Sequence, residues 1–254
     1  MKLYHHSQGT GRPLIILHGL FGSSDNWRGI AKQLATATQV IRVDLPNHGQ
    51  STHSDDISYD LMADDVIELM ADLNLQQADV IGHSIGGKVA MTLAARYPEK
   101  IRRLVVVDMA PKSYSDRHSD IFEALLALDL SQFSKRSDID AALANTIADK
   151  AIRQFLLMNL ALTDGKLRWR INLQGLSDHY SQLLQPVCEG QRVEQPALFL
   201  RGGLSNYIEQ GDEVMIKQTF RNSDITIVDQ AGHWIHAERP DLFLSYVKRF
   251  FDYD

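Results

Sequence analysis

The chain reads as an α/β protein, a doubly wound and mostly parallel sheet with a helical insert. Three observations predict it. Short runs of four apolar residues, rich in Val and Ile, recur along the chain. Turn residues close each run, and segments of helical period fill the intervals. Runs that are apolar on both faces suit strands covered by helices on both sides. Strand alternating with helix implies right-handed crossovers and parallel pairing. Such sheets bind ligands at the carboxyl ends of their strands, so chemistry is expected just after each run.

Six runs qualify as core strands: Leu14–Leu17, Val40–Val43, Ala78–Ile81, Leu104–Val107, Ala197–Leu200 and Ile225–Val228. Helices are expected over Ser24–Leu34, Tyr59–Leu73, Gly87–Tyr97 and Arg239–Phe251, where apolar residues recur every three or four positions. Pro98 is a stop signal for the third of them. His5-His6 reads as a polar N-terminal turn. From Pro111 to Pro186 the strand-type runs disappear. Ile121–Leu130, Ile139–Ala148 and Ala151–Leu162 have helical period, Asp164-Gly165 is a turn, and Leu167–Leu173 alternates like a short extended segment. The expected organisation is a core made of residues 1–110 and 187–254, with residues 111–186 as a helical cap. There are no internal repeats and no low-complexity tract.

Composition removes several functional classes. Hydrophobic residues are 44% and charged residues 23% of the 254, ordinary values for a globular protein. The net charge of −6 is spread along the chain, with no basic stripe for a nucleic-acid backbone. The lone cysteine, Cys188, forbids an internal disulfide and fits a reducing compartment. No apolar run is long enough to cross a bilayer and no signal peptide is visible, so the expectation is a cytoplasmic protein without membrane insertion. HExxH, P-loop and G-x-G-x-x-G patterns are all missing, so neither metal nor cofactor is expected.

Gly82-His83-Ser84-Ile85-Gly86, followed by Gly87, is the most informative segment. A G-x-S-x-G match arises by chance in roughly one chain of this length in ten, so context decides. Here it follows a strand run and opens a helix. A nucleophile on so tight a turn needs small residues on both sides, because a Cβ there would collide with the turn. The turn lifts the Ser84 hydroxyl above the sheet, at a helix N-terminus that favours developing negative charge. A serine needs a base. Among ten histidines, His233 is the candidate, since Asp229–Trp234 is the loop after the last strand run. Gly232 is expected to let the backbone pass close to the nucleophile, and Trp234 to exclude water. His18 and His83 sit inside turn motifs and are expected to brace them; His48 lies on another loop at this edge. Oxyanion donors are expected from the backbone N–H of Ile85 and of Leu20, the latter in the His18–Gly22 loop after the first core strand. The Leu20 side chain is free to line an acyl pocket.

His18-Gly19, Asp44 with Asn47-His48-Gly49 and Ser51, Gly82–Gly87, and Gly232-His233 occur in the order found in the α/β-hydrolase fold family, and the sequence resembles that family over nearly its whole length. More narrowly, His18–Ser23, Asn47–Gly49, Gly82–Lys88 and Val107–Pro111 resemble the bacterial YbfF-type esterases, and the mitochondrial abhydrolase-domain-11 proteins are similar. The resemblance implies hydrolysis of carboxylic esters or thioesters, with acyl-CoA compounds among the conceivable substrates, and no cofactor.

One departure concerns the acid that must hold the histidine tautomer and balance the imidazolium. In most of this fold family it follows the strand that here is Ala197–Leu200. This chain then reads Arg201-Gly202-Gly203-Leu204-Ser205-Asn206-Tyr207, with no carboxylate and with Ser205 near the usual position. Asp108, directly after Leu104–Val107, is the sheet-edge alternative, and the YbfF-type resemblance points to the same residue. Asp212 is second, reached only if the Ser205 loop folds back. Asp44 and Asp229 are expected to brace loops. The leading expectation is a serine hydrolase of small to medium acyl esters or thioesters: Ser84 attacks, His233 moves the proton, Asp108 orients it, and Leu20 and Ile85 bind the oxyanion. The alternatives are a lyase or carbon–carbon bond hydrolase of menaquinone-biosynthesis type on the same fold, or a ligand receptor with vestigial hydrolase activity.

Overall fold

The computed structural model describes residues 1–253. Seven strands form one sheet: β1 (His5–Gln8), β2 (Pro13–Leu17), β3 (Gln39–Val43), β4 (Ala78–His83), β5 (Ile101–Val107), β8 (Ala197–Gly202) and β9 (Ser223–Val228). Their order is β1-β3-β2-β4-β5-β8-β9. Only β1 runs antiparallel, pairing His5 with Val43. That corrects the expectation of a turn at His5-His6. The segment is polar because an edge strand with one neighbour and half-buried side chains needs no apolar run.

The helices of the core are α1 (Arg28–Leu34), α2 (Tyr59–Asp72), α3 (Ile85–Arg96), α9 (Asp212–Thr219), α10 (Ile235–Glu238) and α11 (Pro240–Phe251). Period-two alternation divides each central strand between two apolar layers. Ile15, Leu17, Leu104, Val106, Ala197 and Phe199 pack with residues of α2, α3 and α9. Leu14, Ile16, Val105, Val107, Leu198 and Leu200 pack with Trp27, α1 and α11. The runs are continuous in sequence because both faces are covered.

Residues between β5 and β8 form five helices, α4 (Ser119–Leu126), α5 (Arg136–Leu143), α6 (Lys150–Leu157), α7 (Leu173–Asp178) and α8 (Tyr180–Leu183), plus a hairpin of β6 (Leu160–Thr163) and β7 (Lys166–Trp169). The helix expected over Ala151–Leu162 therefore stops at Leu157. Asp164 and Gly165, both at positive φ (51° and 72°), make a two-residue hairpin turn whose pairing claims Leu160–Thr163 as a strand. Among the described residues no helix is long and apolar enough to cross a membrane.

Candidate active site

The site is assembled by register. β5 lies between β4 and β8, with Val107 opposite His83 on one side and Leu200 on the other. The residues that follow, Ser84 and Asp108, therefore emerge side by side at the carboxyl edge. Both turn away from strand geometry at positive φ, 53° for Ser84 and 50° for Asp108. Their backbones are pinned there: Ser84 N–H donates to the Val107 carbonyl at 3.2 Å and Asp108 N–H to the Leu200 carbonyl at 2.8 Å. A serine at φ 53°, ψ −122° costs on the order of 1–3 kcal/mol, sustained by the surrounding structure. The glycines flanking it are obligatory. A Cβ on Gly82 would lie 2.1 Å from the Gly86 carbonyl oxygen, and one on Gly86 2.5 Å from those of Leu17 and His18.

Asp108 is fully buried, and three donors compensate for the lost water. Gly202 N–H donates to Oδ1 at 3.0 Å, the Ser205 hydroxyl donates to Oδ2, and His233 Nδ1 lies 2.7 Å from Oδ2. With Nδ1–H given to the carboxylate, Nε2 is the basic atom of a neutral His233. The carboxylate and Ser205 thus meet although they leave from different strands: the residue near the usual acid position donates to a carboxylate from the strand next door. Asp212, the alternative, is held elsewhere. It opens α9, takes an ion pair from Lys112 at 2.6 Å and accepts the Glu209 N–H at 2.8 Å.

His233 is further fixed by stacking. The Tyr207 ring lies 3.7 Å from the imidazole at 15°, and the Arg117 guanidinium covers that ring at 4.5 Å while donating to Asn206 at 2.6 Å. Sequence reasoning missed both residues: neither sits in a motif, and the stack exists only once the β8 loop and the chain after β5 meet. Gly232 behaves differently from expectation. Its close approach is to β8, where a Cβ on Gly202 would stand 2.2 Å from the Gly232 carbonyl, and its N–H donates to Glu238 at 2.7 Å.

The remaining edge histidines are buried and neutral, as braces. His18 gives Nδ1–H to the Gly19 carbonyl at 2.8 Å and accepts the Leu45 N–H on Nε2 at 2.9 Å. Burial, then the nearby His233 and His236, hold His83 well below the usual histidine range. Burial takes His48 and His236 down to about 3. Asp44 braces as expected, accepting Ser24 N–H at 2.6 Å and Gln50 N–H at 2.9 Å.

Ser84 and His233 line one cavity of about 260 Å³ with Leu20, Phe21, Arg117, His118, Ile152, Phe155 and Trp234. A narrow cleft that shares Leu20 and Ser84 with this cavity is walled by Ile85, Met109, Tyr114 and Leu184. Neither the Leu20 nor the Ile85 N–H donates to a protein group among the described residues, so both donors are unspent. The larger groove, about 820 Å³ beside Lys112 and Cys188, touches none of these residues. Burial pushes the Cys188 thiol up to about 12, which keeps it protonated and a poor nucleophile.

A parallel sheet carrying a strained serine on its strand–helix turn defines a hydrolase-type α/β architecture. Residues 12–240 match the family model described as alpha/beta hydrolase fold, and the chain belongs to that family. It is 38% identical over 252 residues to the sn-1-specific diacylglycerol lipase ABHD11 of Danio rerio, spanning 96% of this chain and 79% of that one. It is 33% identical to esterase YbfF of Escherichia coli K12, over 96% of this chain and 94% of the relative. Among solved structures, a marine microorganism esterase superposes with a TM-score of 0.96 at 38% identity, covering 98% of this chain and 99% of that one. These likenesses make the chain an esterase- or lipase-type hydrolase.

Proposed function

We propose that the protein hydrolyses small to medium acyl esters or thioesters through an acyl-enzyme on Ser84. The observation that carries this reading is the 2.7 Å contact of His233 Nδ1 with buried Asp108, made at the rim of the cavity into which the Ser84 turn opens. His233 Nε2 takes the hydroxyl proton as Ser84 attacks the carbonyl carbon, and Asp108 balances the imidazolium. Leu20 and Ile85 N–H groups bind the oxyanion. The imidazolium returns the proton to the departing alcohol or thiol. Water, deprotonated by the same nitrogen, then releases the acid and frees Ser84. No step needs a cofactor, and the reducing cytoplasm implied by a lone cysteine is the compartment proposed.

Apolar walls from Ile152, Phe155, Leu156 and Trp234 suit an acyl chain. Residues 111–186 serve in this reading as the cap that sets chain length. The Danio rerio relative is named for diacylglycerol, which makes glycerides the upper end of the substrate panel. A fluorophosphonate probe tests the mechanism: intact mass should rise by one adduct, mapped to Ser84, and Ser84→Ala should take up none. Labelling of Ser84→Ala at the parental rate would reject it.

A further inference from the structure

His83 is buried one residue before the Ser84 turn and has so far been only a brace. Its contacts reach further than that. Nε2 lies 2.9 Å from the backbone carbonyl oxygen of His233. Since a carbonyl only accepts, Nε2 carries the proton. Among the described residues this is the hydrogen bond that the His233 carbonyl accepts. The other side of the ring abuts bare backbone: a Cβ on Gly19 would stand 2.9 Å from His83 Nδ1 and 3.3 Å from Cε1. Gly19 is the residue before Leu20. One imidazole therefore touches three loops: it is bonded to the turn that carries Ser84, tied to the loop that carries His233, and wedged against the loop that carries the Leu20 N–H. The loop of His233 is hung on its far side from Glu238, through Gly232 N–H at 2.7 Å and Trp234 N–H at 3.1 Å. His83 supplies the opposing anchor.

We propose that His83 is a positioning residue whose Nε2–H, donated to the His233 carbonyl, sets the spacing between Ser84, His233 and the Leu20 N–H. The proposal rests on the reading of Ser84 and His233 given above. An apolar ring would fill the same volume but leave the His233 loop unanchored. A charged ring would repel the imidazolium that forms on His233, 4.6 Å away between ring centres. The Nε2–H bond supplies the anchor, and burial keeps the ring neutral.

Two polar variants separate positioning from filling. The glutamine amide nitrogen reaches where histidine Nε2 stands, whereas the shorter asparagine amide reaches only the Nδ1 position. His83→Gln should keep kcat for p-nitrophenyl butyrate within about threefold of the parent. His83→Asn should lose about tenfold to a hundredfold in kcat with KM within about twofold, the scale on which small misplacements act. Equal kcat in the two variants, high or low, would overturn the proposal. Ring ¹⁵N spectra of the unmodified protein give a variant-free check. His83 should be the Nε2–H tautomer from pH 8 to pH 5, and an Nδ1–H tautomer would overturn the proposal as surely. Ser84→Ala, assayed alongside, isolates the underlying reading: full activity in that variant sinks the nucleophile assignment, whereas its inactivity beside equal His83 variants sinks only the role of His83.

Discussion

The sheet edge and the segment between β5 and β8 are built on opposite terms. At the edge, Ser84, Asp108, His18 and His48 are all buried, two of them at positive φ, and each is pinned by a backbone partner, Ser84 and Asp108 through their own N–H groups and His18 and His48 through Nδ1 to a carbonyl. The intervening segment buries one stripe of each helix, such as Phe122 and Leu125 of α4 or Leu156 and Leu157 of α6, and leaves the rest to solvent. It packs its apolar stripe into the same cluster as Leu20 and Phe21, with Phe122 4.8 Å from Phe21 between ring centres, and adds polar ties. Asn159 donates to the Phe21 carbonyl at 2.7 Å, Asn172 pairs with Asn47 through two 2.9 Å bonds, and buried Lys88 donates to the carbonyl of Gln185. The groups proposed to do chemistry thus sit on strand ends, where geometry is over-determined. The residues proposed to select a substrate, such as Ile152 and Phe155, sit on the intervening layer, which reaches the edge through Arg117 over the Tyr207 ring.

The largest effect should come from the edge. Ser84→Ala should lower kcat/KM for p-nitrophenyl butyrate at least a thousandfold, since loss of the nucleophile removes the whole covalent route. Circular dichroism should show the fold intact, because alanine relieves none of the contacts that pin the turn. Retention of a tenth of the activity would mean that the strained turn serves binding, and the contrast would collapse.

Changes in the intervening segment should alter selection instead. Ile152→Trp fills part of the 260 Å³ cavity. The ratio of kcat/KM for octanoate to that for acetate should fall at least about tenfold, the 1.4 kcal/mol scale of a few methylene contacts. An equal loss on both esters would show that this layer also holds the chemistry.

A smaller effect is expected in stability against pH. Burial lowers the proton affinity of His236 to about 3 and of His118 to about 4, with His18, His48 and His83 also lowered. The unfolded chain therefore binds more protons once pH drops below about 6.5, so stability should fall from there toward pH 4. The sign is the same for Lys88, lowered to about 7, but its window lies between there and 10.5, where stability should rise with pH. His236 stacks on Trp27 at 4.0 Å and 11°, and its Nδ1 has no partner among the described residues. His236→Phe keeps the stack and removes one titrating group. Its Tm should fall less steeply between pH 6.5 and 4.5, by up to about 1.4 kcal/mol per pH unit of stability. A parallel slope would show that this ring is not held neutral.

The same contrast explains what the sequence disclosed. Central strands and their edge residues were legible because continuous apolar runs and glycine-bounded turns follow from burial and steric necessity. Asp108 stood out in the sequence because it follows a run directly and Ser205 leaves the rival position without a charge, and the structure sets it 2.7 Å from His233 Nδ1. The hairpin strand Leu160–Thr163 was not, since a helical period continues through it and only pairing with Lys166–Trp169 decides the matter. Strand β1 escaped notice because its alternation is polar on a one-sided edge. The Arg117–Tyr207–His233 stack was invisible for a different reason: it joins residues from separate loops and leaves no spacing to read.

The central claim is that the acid reaches His233 from β5, one strand nearer the nucleophile than β8. Asp108→Asn and Asp212→Asn, compared as folded, monodisperse proteins on one ester, test it most directly. Asparagine at 108 keeps the shape but removes the charge and favours the wrong His233 tautomer, a change that costs on the order of 10⁴ in a serine protease. The account predicts a loss in kcat of at least about a hundredfold for Asp108→Asn, and less than about threefold for Asp212→Asn, which breaks only the ion pair with Lys112. The reverse ranking would contradict it, placing the acid on the loop after β8 and leaving Asp108 as a strand-end brace.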